Sequence, residues 1–169
     1  MRRKLAWLVL FGAAIVVTAL YVGKAMATPA SGFVGTTLAL GRFGEIDTFN
    51  QLIPSPGNVW LSMQKTKGLS DVYVQSNVWQ PGGSTGWHTH PGHSLIIVTE
   101  GTVTGYEGDD PDCKPHVYTQ GIGFVDPGGD HVHILRNESD VVAKAIAVQL
   151  IPSATARRID VADPGNCHF

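Results

Sequence analysis

Turn-forming residues interrupt this chain at short, even intervals, and that spacing constrains its fold more than any other feature. Between the interruptions lie about ten segments rich in Val, Ile, Thr, Tyr and Trp, the residues that suit a pleated surface. Strands are predicted near 35–40, 58–65, 71–79, 86–90, 94–99, 102–106, 115–119, 122–126, 131–136 and 141–150. Turns are predicted at Pro54-Ser55-Pro56-Gly57, Pro81-Gly82-Gly83, Pro91-Gly92, Gly108-Asp109-Asp110-Pro111 and Asp126-Pro127-Gly128-Gly129. After residue 28 no stretch holds a 3.6-residue period over three turns. The expectation is an all-β sandwich or barrel. A length of 169 residues allows one domain. A composition 43% hydrophobic and 15% charged excludes a disordered chain.

The first 27 residues differ from the rest. Arg2, Arg3 and Lys4 precede an uncharged, apolar run over residues 5–23, followed by Lys24 and Ala25-Met26-Ala27. A basic start, an apolar core and an A-x-A site make an export signal. The run of 19 residues is also just long enough to span a bilayer as an apolar helix. Two readings stay open: cleavage after Ala27 and secretion, or retention as a transmembrane anchor with the domain outside the cytoplasm. The expected organisation is a signal peptide or anchor over 1–27, a linker over 28–34, a barrel over 35–152 and a polar surface tail over 153–169.

Without residues 1–27, eight Lys/Arg face fourteen Asp/Glu, a formal charge of −6. No basic cluster remains to bind nucleic acid, and membrane contact is expected only through residues 5–23. Cys113 and Cys167 are the only cysteines. Export implies an oxidising compartment, so a Cys113–Cys167 disulfide is expected, tying the tail to a loop.

Five of the seven histidines fall in two short stretches, Trp87-His88-Thr89-His90-Pro91-Gly92-His93 and Asp130-His131-Val132-His133. On a strand, residues two apart share a face, so His88 pairs with His90 and His131 with His133. If both faces look into one barrel, up to four imidazoles converge. Neutral imidazole is a common ligand for divalent Fe, Zn, Ni, Cu and Mn. His93 has the opposite parity and is expected at a rim or surface. His116 and His168 lie in a polar loop and the tail. The acidic run Asp109, Asp110 and Asp112 lacks a calcium-loop pattern and reads as a solvated turn.

These stretches resemble the two motifs of the cupin superfamily. In the first motif, Gly82 stands six positions before His88-Thr89-His90, and counting back from Gly101 puts Ser94 where the family has a glutamate. In the second, Gly121 precedes Pro127-Gly128-Gly129, then His133, with Asn137 four positions on. The resemblance covers roughly residues 70–150. It implies a single cupin-type double-stranded β-helix, a jelly-roll barrel, after an N-terminal apolar helix. It also implies a metal on His88, His90 and His133, and, since cupins are often dimers, a homodimer.

Two departures qualify that likeness. Ser94 in place of glutamate implies a carboxylate-free, three-histidine site, similar to those of thiol dioxygenases and some diketone-cleaving cupins. Three residues rather than two separate Gly129 from His133, so His131 is an alternative or fourth ligand. Asn137 is expected to organise a turn rather than touch metal. Ser94, Ile96 and Val98 are expected to face the interior. For 71–79 either Val72-Val74-Ser76-Val78 or Tyr73-Gln75-Asn77-Trp79 does so.

Three functional classes follow. The first is an extracytoplasmic, metal-dependent enzyme acting on a small organic molecule, most concretely a dioxygenase. The second is a non-catalytic module that captures a small molecule or metal at the cell surface. The third is a structural barrel without metal. No residue stands out as a general acid or base.

Overall fold

A computed structural model describes residues 26–169. The apolar run expected as an export signal or anchor, and the N-terminal helix with it, lies outside the described residues. Among those described there is no helix, so none that crosses a membrane. Twelve strands account for the order: β1 (Ser31–Phe43), β2 (Asp47–Ser55), β3 (Asn58–Lys65), β4 (Ser70–Ser84), β5 (His88–Thr89), β6 (Ser94–Glu100), β7 (Thr102–Glu107), β8 (His116–Thr119), β9 (Gly123–Asp126), β10 (His133–Arg136), β11 (Ala143–Pro152) and β12 (Ile159–Asp160).

Ten of them form one antiparallel sheet folded on itself into a nearly closed barrel, the expected jelly roll. One leaf runs β1–β4–β11–β6–β9 and the other β12–β5–β10–β7–β8. β4 is long enough to serve both, and its last residue Ser84 pairs with Arg136 of β10. The core fills the gap between leaves. Trp79, Ile96, Val98, Ala143, Ala145 and Ala147 from the first leaf meet Val103 and Leu135 from the second. Alternation along each strand sets this pattern, since inward side chains recur at every second residue. Ser94, Ile96 and Val98 face inward as expected. In β4 the inward set is Gln75, Asn77 and Trp79.

A smaller cluster of Trp87, Tyr106, Ile134 and Cys167 covers the outer face of the second leaf. Its lid is the C-terminal tail, which does more than run over the surface. Ile159 and Asp160 pair with Thr89 and His88, and Val161 N donates to Trp87 O at 3.1 Å. The expected Cys113–Cys167 disulfide is present, with Cα atoms 5.3 Å apart.

The stretch read as a linker is also docked. Thr28 N donates to Val161 O, Thr28 Oγ1 accepts from Trp87 N, and β1 starts at Ser31. β1 begins earlier than expected, at Ser31-Gly32, where its backbone approaches Gly83 closely; a Cβ on Gly83 would collide with the Gly32 carbonyl. β2 was hidden by its polar content and by Pro54 next to the hairpin turn. The β2–β3 ribbon is a separate two-stranded sheet with Phe49, Leu52, Trp60 and Met63 exposed.

Candidate metal centre

The site is assembled by two turns that lock onto each other. Gly129 N donates to His90 O at 2.7 Å, and Thr89 Oγ1 donates to Gly129 O at 2.6 Å. Gly128 has φ +68°, and a Cβ there would strike the Gly92 carbonyl. Only glycine permits that approach, so the two histidine-bearing segments meet backbone to backbone. At the far end of β10, Asn137 organises the turn as expected. Its Nδ2 donates to Trp79 O, Gln80 O and Val141 O, and its Oδ1 accepts from Ser139.

His88 and His133 are direct partners on β5 and β10, and Glu107 of β7 stands opposite His133 on the other side. The His88 and His133 rings lie 4.4 Å apart between centroids, His88 and His90 4.8 Å, and His90 and His133 5.7 Å. One ring nitrogen from each of the three comes within 4.8 Å of the others, close enough to share an ion. Backbone carbonyls orient two of the rings. His88 Nδ1 lies 2.9 Å from Gly86 O, and His90 Nδ1 lies 2.7 Å from Arg157 O. Each Nδ1 therefore carries the proton and each Nε2 keeps its lone pair for the cavity. His133 Nδ1 is buried without a hydrogen-bond partner. An orphaned buried nitrogen beside two lone-pair donors fits a metal ion.

Burial keeps these rings neutral, the form that ligates. It pushes His88 well below the ordinary histidine range, reinforced by His133, Arg158 and His90. It also lowers His90. His133 is lowered to about 4 by burial, with Asp126 opposing the shift. This makes the metal-free protein acid-sensitive. Between pH 6.5 and about 4 the unfolded chain binds a proton at His133 that the folded state does not. Stability is therefore full above pH 6.5 and is lost as pH falls toward 4. Urea unfolding of the metal-free protein from pH 7 to 4.5 should show it, with a shallower slope in His133→Asn.

The other sequence candidates separate by position. His131 reaches the interior, but its Nε2 lies 2.5 Å from Glu107 Oε2 while its Nδ1 faces Asp126 Oδ1 at 3.7 Å. It groups with Asp126 and His133 rather than with His88 and His90. His93 is half-buried beside the β3–β4 connection, outside the site. His116 and His168 are exposed. Asp110 caps its own loop through the Asp112 and Lys114 amides. Two acidic groups that the sequence reading passed over, Asp126 and Glu107, stand beside the histidines. The cross-strand register of Asp126 with Ser94 was not readable from spacing.

Above the rings is a cavity of about 130 Å³ lined in part by Gln75, Asn77, Ser94, Ile96, Gln149 and Arg157. An all-β barrel with imidazoles converging at the base of such a cavity defines a metal-binding barrel protein. Residues 77–149 match the family model of the cupin domain. Over those residues the barrel carries a cupin domain.

No curated protein matches the chain. Among solved structures it is similar to a cupin domain from Bordetella pertussis Tohama I, at 20% identity over 74% of this chain and 97% of that one, with a TM-score of 0.44. It is also similar to Peruvianin-I, described as a cysteine peptidase from Thevetia peruviana latex, at 28% identity over 54% and 56% of the two chains, TM-score 0.44. A third is an oxalate oxidase in complex with glycolate, at 23% identity over 53% and 46%, TM-score 0.45. The chain thus spans about half the length of the last two.

Proposed function

We propose that this protein is an exported cupin whose His88, His90 and His133 hold a divalent transition metal, and that the centre serves oxygen-dependent oxidation of a small organic molecule. The observation that carries the reading is the trio of converging imidazoles, His88 and His133 buried and His90 half-buried, two of them turned by backbone carbonyls so that Nε2 points inward. When bound, such an ion supplies Lewis acidity and, if redox-active, electron transfer with oxygen. Export is supported by the basic-apolar leader and by the disulfide, which persists in oxidising compartments.

The cavity favours a small polar substrate, with an anionic group the best match. Arg157 lines it half-buried, over the Tyr73 ring, and forms no ion pair among the described residues. Asn77 Oδ1 and Gln149 Oε1 are buried without partners and are available to a substrate hydroxyl. Ile96 and Ala147 supply apolar wall. The cavity therefore offers one cation without an ion pair, Arg157, beside the Asp160-paired Arg158, and two acceptors around a small apolar surface, the usual makeup of a small-molecule site.

Oxygen uptake by the iron-loaded protein, across thiols, diketones, phenols and small carboxylates, tests the reading. Sustained turnover is expected with at least one class, and none with His88→Ala. Uptake that stops at one equivalent or less with every compound would leave a non-catalytic binding module.

A further inference from the structure

We propose that Asp126 is a ligand of the same metal, its carboxylate reaching in from the neighbouring strand to take the place vacated at Ser94. The inference rests on the histidine centre proposed above and revises the carboxylate-free set expected from the sequence.

The argument begins with register. Ser94 of β6 and Asp126 of β9 are direct antiparallel partners, and each is only 3% exposed. Side chains so paired project from the same face with Cβ atoms about 5 Å apart. A carboxylate at 126 therefore occupies nearly the region that a longer acid at 94 would reach. The two oxygens of Asp126 have different surroundings. Oδ1 accepts a hydrogen bond from Gly128 N at 2.9 Å, which fixes the carboxylate plane. Oδ2 is buried and has no partner. A charged oxygen kept in the interior with nothing to bind is costly unless an ion completes it.

Distances point the same way. Asp126 Oδ2 lies 3.5 Å from His90 Nε2, and Oδ1 lies 3.7 Å from His133 Nδ1. These separations are too long for hydrogen bonds. Two atoms each about 2.1 Å from one tetrahedral ion stand about 3.4 Å apart, so they suit neighbouring ligands. His90 also presents its lone pair on the correct side, because its Nδ1 is taken by Arg157 O. His131 Nε2 is held by Glu107 while its Nδ1 lies 3.7 Å from Asp126 Oδ1, and Asp126 groups with His131 and with His133, the residue common to both histidine clusters. In this arrangement His131 backs the carboxylate and is a positioning residue.

Three imidazoles and one carboxylate make a harder, more negative donor set than three imidazoles alone. The set should therefore favour Mn(II) over what a purely imidazole site would hold, and discriminate less for Cu(II).

Asp126→Asn provides the test, since it keeps the Oδ1 acceptor for Gly128 and removes the charge. Titration of the purified protein with Mn(II) and with Cu(II), and the electron paramagnetic resonance spectrum of each loaded form, are the readouts. Mn(II) affinity should fall by about 10- to 100-fold, Cu(II) affinity by less, and the spectra of both should change. Adding Ser94→Glu to Asp126→Asn should recover Mn(II) affinity, which a merely structural role for Asp126 would not allow. Asp126→Asn with parental affinity and spectra would overturn the proposal while leaving the histidine centre standing. A parent that takes up neither ion would instead remove the centre itself. If Asp126→Asn does not fold, Asp126→Glu decides: an altered spectrum supports ligation, and an unchanged one overturns it.

Discussion

His133→Ala is expected to take bound metal from near one equivalent to below about a tenth, with a fall in affinity of more than about 100-fold. The effect should exceed that of any other single histidine because His133 stands at the meeting point of both groupings, one with His88 and His90, the other with Asp126 and His131. It is 4% exposed, and its Nδ1 is buried without a hydrogen bond. Elemental analysis of the purified variant beside His88→Ala and His131→Ala checks this. His88→Ala should follow His133→Ala closely. His131→Ala should retain most of its metal, because its Nε2 is already engaged by Glu107. If His133→Ala folds and stays loaded while His131→Ala empties, the third ligand is His131.

Opening the disulfide has the second large effect. Cys167→Ser should lower stability by about 4 kcal/mol, the chain-entropy value for a crosslink spanning 54 residues. The bond holds more than itself. Asn166 Nδ2 donates to Glu107 O and Asp110 O at 2.8 and 2.6 Å. Phe169 meets Tyr106 edge to face, with Arg136 over its ring. The tail covers Trp87, which is 1% exposed and adjoins His88. Freeing the tail therefore loosens the outer support of a ligand strand, and metal affinity should weaken along with stability. Urea unfolding with and without dithiothreitol checks the assignment. Reductant should bring the parent down to the variant and leave Cys167→Ser unchanged; equal midpoints for parent and variant without reductant would show that the bond contributes nothing.

Much of the barrel was legible because its signals are local. Alternation along β6 places Ser94, Ile96 and Val98 on one face whatever the strand packs against. Turn residues around Gly82, Gly101 and Gly128 punctuate the chain at the places where φ is positive. The histidine pairs were legible for the same reason: i and i+2 on a strand must point together. Local rules fail where order depends on a distant partner. β12 has two residues and no pattern of its own, and exists because β5 lies beside it. The strand start at Ser31-Gly32 carries no strand signal of its own, and its meaning appears only against Gly83.

The candidate site divides along the same line. Residue type and short spacing pointed to an all-β domain and to two inward-facing histidine pairs; the likeness to the cupin motifs singled out His88, His90 and His133, and the leader suggested that Cys113 and Cys167 pair. Tertiary structure alone decided which face of β4 lines the cavity, that His131 meets Glu107, and that Asp126 stands opposite Ser94. Asp126 is 32 positions from Ser94 in the chain but directly opposite it across a strand pair. A motif is written along one strand, whereas a metal ion is surrounded by several. Hydrogen-bond register between strands far apart in sequence, which no local pattern encodes, brings that carboxylate beside the histidines.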